Sequence, residues 1–437
     1  MNIYIIFELK QRELLSKLLL SLEAASRGND VFIGRINSFL MRNFFQPGIV
    51  HMKSITPGQS RINELTYLKK KNFLITSQDE ENGFIDYDTN YKDYRYSKKT
   101  LSLVDKVFSW GPFDYRNICN NYPSFKKKIV KSGNPRIDFW RNDFKKFYKK
   151  IKYIKQNNYI LFSTNFDYVC SHRSIEEEIK FHKNSGYFKR GLKEKDILRW
   201  AKNSKILFSY FKKLVIKISK KYKNKIIIVR PHPVDDIKKW KNHFKGFKNI
   251  FVNSDGFISD WIYKSKLVIH TGCTGGFEAS ARGKRTLSYY PIKIRHGHPY
   301  ADILSTKIYN EKNIMNEINK AYLKKNSIFK INKNLKFIKN RAYNFVGKKS
   351  YIQIVDMWEN IGKKLNNVSN SRFSLRSSFL LRDLRLKILR KKIGSHKFTF
   401  FDKEEVSNLI FRLKKLSKKF DDVKFEFIKS DILRIYK

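Results

Sequence analysis

The chain opens on an apolar run, Ile3 to Phe7, closed by Glu8. Leu14, Leu15, Leu18, Leu19, Leu22 and Ala25 follow at steps of three and four, which is the period of one helix face. Gly28 and the Asn29-Asp30 pair predict the helix stop, and Val31-Phe32-Ile33 predicts the next strand. The alternation continues with strands over 72–76, 106–111 and 129–136. A Lys-rich stretch over 145–155 reads as a linker. A second series then begins, with strands over 158–162, 226–229, 250–252, 267–270 and 286–290 and a long amphipathic helix over 196–222. Strands alternating with helices predict parallel sheets covered on both faces. The expected fold class is therefore α/β, with two Rossmann-like domains facing a cleft and a basic helical C-terminal extension. The expected boundaries are 1–150 for an N-terminal Rossmann-like domain, 151–345 for a C-terminal Rossmann-like domain, and 346–437 for the extension. Ligands of such sheets bind at the carboxyl ends of strands.

Composition narrows the partners. Of 437 residues, 92 are Lys or Arg and 39 are Asp or Glu, a formal charge of +53. That excess suits polyanions, but it is spread along the whole chain, and no helix-turn-helix, zinc-finger or RNA-recognition signature accompanies it. No nucleic-acid partner is expected. The aromatic share of 15% excludes a disordered chain. Three well-separated cysteines, Cys119, Cys170 and Cys273, exclude a disulfide scaffold or a Cys-rich zinc module, and no metal site or cofactor is expected. No apolar run reaches the ~20 residues of a membrane span, so a cytoplasmic protein is expected. Residues 371–400 combine Leu380, Leu381, Leu384, Ile388 and Leu389 at helical spacing with many basic residues. They would let it lie on the anionic inner face of the cytoplasmic membrane.

Three motifs carry candidate chemistry. Arg230-Pro231-His232-Pro233 ends a strand, with prolines fixing the backbone around His232. Arg230 could fork onto a phosphate there. Thr271-Gly272-Cys273-Thr274-Gly275-Gly276-Phe277-Glu278 runs from a strand into a helix. Its backbone amides and helix dipole could hold an anion, its glycines permit close approach, and Glu278 could accept from ribose hydroxyls. It is neither a Walker loop nor the dinucleotide fingerprint. Asp79-Glu80-Glu81 packs three acids after a strand, where mutual repulsion can raise a pKa and make a general acid or base. Glu8, Arg12 and Glu13 follow the first strand, at the same kind of edge, and Asn134 follows the strand run that begins at Ile129, so all four are expected to line the cleft.

Taken in order, Glu8 to Leu14 with Leu18-Leu19-Leu20, Gln78 to Gly83, Ser132 to Asp138 through Asn134, Arg230 to Pro233 and Thr271 to Glu278 resemble the bacterial surface carbohydrate biosynthesis protein family. That family is similar to glycosyltransferases of the two-Rossmann GT-B type, related to transferases of CMP-activated keto-sugar acids such as Kdo and sialic acids. The resemblance implies His232-Pro233 and Thr271 with Thr274 as donor-binding groups, and Glu80 and Glu81 within an acidic motif. Asn82 separates Glu81 from Gly83 where the family has none, so Asp79, Glu80 and Glu81 all stay open as the catalytic acid. The resemblance also implies a nucleotide-sugar donor on the domain over 151–345, a growing glycan or lipid-linked glycan as acceptor on the domain over 1–150, and metal-independent transfer. Alternatives are a sugar-nucleotide 2-epimerase-like enzyme, a polyol-phosphate transferase and a non-catalytic basic polyanion-binding protein.

Overall fold

The computed structural model describes residues 1–40, 45–84, 94–148, 155–188, 191–232, 235–294, 299–323, 335–365 and 400–437. The strands are β1 (Asn2–Ile6), β2 (Asp30–Gly34), β3 (Ile49–Met52), β4 (Leu74–Ser77), β5 (Lys106–Ser109), β6 (Ile129–Lys131), β7 (Tyr159–Ser163), β8 (Ile227–Arg230), β9 (Ile250–Val252), β10 (Ser265–His270), β11 (Arg285–Tyr289), β12 (Thr306–Ile308), β13 (Lys424–Lys429) and β14 (Ile432–Tyr436). They form two sheets in two compact Rossmann-like α/β units. Unit 1 is Met1–Lys150 with Lys336–Lys437, and unit 2 is Ile151–Leu335.

The sheet of unit 1 has the order β13-β14-β2-β1-β3-β4-β5-β6. The pairs from β2 through β6 are parallel, while β14 lies antiparallel to β2 and to β13. Strand order reverses at β1, since β2 lies on one side of it and β3 on the other, so the crevice between the ends of β1 and β3 is a topological switch point. The helix Lys10–Ser26 leaves β1 and is buried from Glu13 to Ala25. It is covered because the helix Ser350–Gly362 packs on it through a stripe that includes Tyr351, Ile354, Val355 and Trp358.

The C-terminal stretch thus differs from the expected separate helical extension. Its described part belongs to unit 1. It supplies a covering helix, a further helix Lys403–Lys414 and a hairpin that extends the sheet. The Asp402 side chain caps Lys403–Lys414 from the Glu405 N–H, 3.0 Å. The strand Lys424–Lys429 alternates polar and apolar positions with period two over Lys424-Phe-Glu-Phe, which favours pairing over helix. Unit 2 also ends earlier than expected, at Leu335 instead of 345. The Lys-rich linker begins as a short helix, Lys145–Tyr148, whose Phe147 and Tyr148 are buried. Phe147 packs edge-on to Phe139 and under the Arg412 guanidinium.

The motif around Asn134 is a structural latch. Asn134 caps the turn Pro135–Asp138, accepting from the Arg136 N–H at 2.8 Å. Its own N–H donates to Asn344 Oδ1 at 3.1 Å, and Asn344 Nδ2 donates to Asn134 O and Asp138 Oδ1. Asp138 in turn accepts the first amides of the Ser350 helix, from Ser350 and Tyr351. Gly133 has φ +78°, and a Cβ there would meet Asn344 Oδ1 at 2.1 Å. Asn134, expected at a ligand cleft, is 1% exposed and serves to join the two chain segments of unit 1.

In unit 2 the sheet order is β12-β11-β10-β7-β8-β9, all parallel. Here order reverses between β7 and β10. Ile160, Phe162, Ile227, Val229, Leu267 and Ile269 form the strand side of the core beneath the helix Glu194–Lys221.

Candidate functional site

Each unit collects polar side chains at its own switch point. In unit 2 these are the residues after β7, Ser163-Thr164-Asn165, and after β10, His270-Thr271-Gly272-Cys273. His270 organises the turn. Its ring is fully buried, and Nδ1 accepts the backbone N–H groups of Gly272 and Cys273 at 3.1 and 3.2 Å. Two donors at Nδ1 require the proton on Nε2, which donates to Ser305 Oγ at 2.8 Å. Burial pushes this imidazole down to about 3, so it is neutral in ordinary buffers. Cys273 continues the cap, because its Sγ accepts from the Gly275 N–H at 3.4 Å and lies 3.1 Å from Ser163 Oγ. Burial pushes the Cys273 thiol up, although hydrogen bonds oppose that.

The Gly-rich turn therefore differs from an open anion cradle. The amides of Gly272, Cys273, Gly275 and Gly276 all have partners within the chain. The glycines serve packing. A Cβ at Gly275 would meet Ser163 Oγ at 2.5 Å, and one at Gly276 would meet the His270 ring at 2.4 Å. Glu278 is turned inward as well, accepting from Ser259 Oγ and from Arg282 at 3.1 Å. The ribose contact expected of it would have to displace that network. Arg230 is 6% exposed and donates to the carbonyls of Asp255 at 2.8 Å and Gly256 at 2.5 Å. It braces the loop after β9, with its guanidinium 5.6 Å from the Trp261 ring centre.

Thr271 is itself only 1% exposed, and its Oγ1 donates to Asn165 Oδ1 at 3.0 Å, tying the ends of β10 and β7 across the switch point. What faces outward is smaller and mostly neutral. Asn165 and Thr274 are half-buried, and His232 is exposed. The His232 backbone is fixed by Asp235, whose carboxylate accepts the His232 N–H at 3.1 Å and the Trp240 indole N–H at 2.9 Å. Pro233 lies outside the described residues, as do residues 371–399. Asn165 and Asp235 were missed by the sequence reading. A Ser-Thr-Asn run after a strand, and an Asp three residues past the His, were the available signals.

Unit 1 is charged where unit 2 is neutral. A line of alternating charges runs Glu13, Arg12, Glu81, Arg95, Asp79. Arg12 donates to Glu13 at 3.3 Å and to Glu81 at 2.8 Å. Arg95 donates to Glu81 at 2.5 Å and reaches Asp79 at 3.4 Å. Glu8 pairs with Lys53 beside this line, while Lys17 and Glu80, both almost fully buried, pair at 2.5 Å. The expected acids now differ from one another. Burial pushes Asp79 up, and its carbonyl accepts the Trp110 indole N–H at 2.6 Å. Glu80 is sealed on Lys17. Glu81 keeps a side chain 43% exposed. Burial opposes its charge, but Arg12 and Arg95 hold it well below the usual carboxylate range. Glu13 is fully buried, and that burial pushes it up to about 7 against the pull of Arg12.

Asn82 and Gly83, where the acidic motif departs from the family pattern, have local reasons. Asn82 donates to Tyr96 Oη and to Asp114 at 3.0 Å. A Cβ at Gly83 would enter the Trp110 ring at 2.1 Å. Arg95, Lys17 and His51 were missed by the sequence reading. His51 is fully buried in β3, with Nδ1 3.1 Å from Thr76 Oγ1, and burial beside Lys17 pushes it well below its ordinary value. Among the described residues no group of three or more His, Cys, Asp or Glu could hold a metal ion, and no helix is long and apolar enough to cross a membrane.

No family model matches the chain, and no curated protein matches it. Among solved structures it is similar to the UDP-GlcNAc 2-epimerase of Methanocaldococcus jannaschii, at 14% identity over 82% of this chain and 100% of that one, with a TM-score of 0.46. It is also similar to the UDP-GlcNAc-bound 2-epimerase of Neisseria meningitidis, at 13% identity over 82% and 99%, TM-score 0.44. The wall teichoic acid polymerase TagF, as its H548A variant, is similar at 11% identity over 83% and 89%, TM-score 0.49.

Proposed function

We propose that this chain is a sugar-nucleotide-dependent glycosyltransferase acting in surface-glycan assembly, with the nucleotide end of the donor taken by unit 2. The observation that carries the reading is the polar rim of the β7/β10 switch point. There Asn165 and Thr271 tie two strand ends together, Thr274 opens the following helix, and His232 stands exposed at the end of the adjoining strand β8. Open α/β sheets bind ligands at such points.

The donor's phosphate gains negative charge as its bond to the anomeric carbon breaks. His232, the Asn165 amide, the Thr274 hydroxyl and the dipole of the Thr274–Ala281 helix offer donors to that charge. Their positions are set by groups that do not touch the donor. Asp235 fixes the His232 backbone, neutral His270 fixes the turn, and Arg230 fixes the neighbouring loop. In unit 1 we assign Glu81 to the acceptor. It is the exposed member of the acidic cluster, and its two arginines keep it ionised, so it orients a hydroxyl through a charge-assisted hydrogen bond. A CMP-activated keto-sugar acid as donor, and a lipid-linked glycan as acceptor, are the substrates the sequence resemblance favours.

The test is thermal unfolding with CMP, CDP, UDP and GDP, using wild type, His232→Ala and Thr271→Ala. Ligand at about a hundred times its Kd stabilises by ~2.7 kcal/mol. A rise with CMP lost in both variants supports the donor reading. A rise with UDP together with turnover of free UDP-sugar and no acceptor points to an epimerase. A rise with CDP and transfer from a CDP-polyol points to a polyol-phosphate transferase. No response to any nucleotide overturns the proposal.

A further inference from the structure

The helix Glu194–Lys221 has 28 residues, roughly 42 Å at a rise of about 1.5 Å per residue. Its inner side is core, with Ile197, Ala201, Leu207, Phe211, Leu214 and Ile218 all buried. Its outer side has a composition of its own. From Ile197 to Lys221 there is no acidic residue. Arg199, Lys202, Lys205, Lys213, Lys217 and Lys220 are all exposed. Arg199 pairs with Asp196 in the first turn and Lys217 pairs with Glu311. Among the described residues, Lys202, Lys205, Lys213 and Lys220 form no ion pair with a carboxylate.

Charge alone would make this a solvated face in a chain so basic. The apolar residues interleaved with it argue otherwise. Leu198 is 48% exposed and Tyr210 36%, whereas Trp200, seven residues before buried Leu207, belongs to the inner flank. Ile206 is half-buried, four residues from Tyr210 and from Lys202. A solvated helix face has no need of Leu198 and Tyr210 left exposed, with Ile206 between them, among its cations. Cations on one ridge with a tyrosine and aliphatic groups among them match the interface of an anionic bilayer, where ammonium groups meet headgroups and rings sit at the acyl boundary. A nucleic-acid duplex would use the same charges but has no place for Leu198 or Ile206.

We propose that unit 2 docks on an anionic membrane surface through the outer ridge of this helix. The proposal does not depend on the transferase reading. It places the contact on a described helix, distinct from the basic stretch over 371–399.

The experiment is co-sedimentation of the full chain with vesicles of phosphatidylcholine alone and of phosphatidylcholine with phosphatidylglycerol. Three variants are compared with wild type. The first is Lys202→Glu/Lys213→Glu/Lys220→Glu. The second carries three reversals on exposed lysines of unit 1, Lys99→Glu/Lys126→Glu/Lys127→Glu, which change the net charge equally. The third is Leu198→Ser. All six lysines are solvent-facing or nearly so, and near-ultraviolet circular dichroism checks that each variant stays folded. A lysine near such a surface contributes about a five-fold gain in partitioning, so the ridge reversals should weaken binding on the order of a hundred-fold. The unit 1 reversals should weaken it far less, and Leu198→Ser should weaken vesicle binding without changing binding to a DNA duplex. Equal losses from the two triple variants would overturn the proposal, because net charge would then suffice. So would a ridge dependence seen with the duplex and not with vesicles.

Discussion

The placement of His270 makes a sharp prediction through a neighbour that carries no side chain. Gly276 lies in the helix Thr274–Ala281, where alanine is ordinarily favoured by about 1 kcal/mol. At this position its Cβ would stand 2.4 Å from the His270 ring. The ring is fully buried and holds three hydrogen bonds, to the Gly272 and Cys273 amides and to Ser305. Moving it strands at least the two amides, and a buried donor left unpaired costs about 1–3 kcal/mol. Two amides cost about 2–6 kcal/mol together, so subtracting the helix gain leaves a net loss of about 1–5 kcal/mol for Gly276→Ala, or roughly 2–20 °C in Tm for a unit of this size. The assay is thermal unfolding of the full chain, with Gly58→Ala as control, since nothing lies within 4 Å of a Cβ there. The reasoning is exposed by a double-mutant cycle with His270→Ala. If the cost acts through the ring, Gly276→Ala becomes close to neutral once the ring is gone. An equal cost in both backgrounds would refute the account of this glycine.

Other consequences follow from buried charge and from the latch. Lys17→Met should destabilise unit 1 by about 3–5 kcal/mol by leaving Glu80 unpaired, and Lys17→Met/Glu80→Leu should recover most of that in chemical denaturation. Asp138 is pushed up to about 7 by burial, despite the hydrogen bonds it accepts. Its unfolded form ionises first as pH rises, so it subtracts stability between about pH 4 and 7 and no further above that. Buried neutral His51 and His270 act in the opposite sense there, so the readout is the difference between wild type and Asp138→Asn. Wild type should lose up to a few kcal/mol relative to the variant across this window, and a flat difference would contradict the assignment. Asn344→Ala should cost about 2–4 kcal/mol by unpairing Asn134 and Asp138, seen as a lower midpoint in denaturant.

Much of the fold could be read locally because buried parallel strands are short apolar runs. Ile3–Phe7, Leu267–His270 and Thr286–Tyr290 announce themselves in that way. β3 did not, since Ile-Val-His-Met is only four residues long and has a histidine at its centre. The C-terminal hairpin had a signal in its period-two alternation, but the high basic content of that region points toward helix and membrane. At the sites, the residue types at strand ends were legible, while their partners were not. Arg95 reaches Glu81 from fourteen residues away and Asn344 reaches Asn134 from 210. Pairings of that length are set by topology and leave no trace in spacing. The same limit explains the Thr271–Glu278 motif. Its glycines were visible, but that they make room for His270 and Ser163 depends on strands brought together only in the folded sheet.

The two switch points differ in a way that bears on how each could bind. Unit 2 presents hydroxyl and amide groups and an exposed imidazole, around a histidine that burial keeps neutral. A ligand there replaces water at neutral donors, and little charge has to be rearranged. Unit 1 presents five carboxylates, Glu8, Glu13, Asp79, Glu80 and Glu81, against Lys17, Lys53, Arg12 and Arg95. Every exposed acceptor in that line is already paired. A hydroxyl can join it by donating to Glu81 without breaking either arginine bond, because an ionised carboxylate has lone pairs to spare. An anionic group could enter only by displacing Glu81 from Arg12 and Arg95, which would leave a carboxylate to be hydrated beside the newcomer. Neutral hydroxyls at unit 1 and a nucleotide at unit 2 are thus the division of labour that the electrostatics favour. Replacing Glu81 by Gln gives the check. The change should weaken use of a hydroxyl acceptor while leaving nucleotide stabilisation of the chain intact. Loss of nucleotide response in Glu81→Gln would mean that the division is wrong.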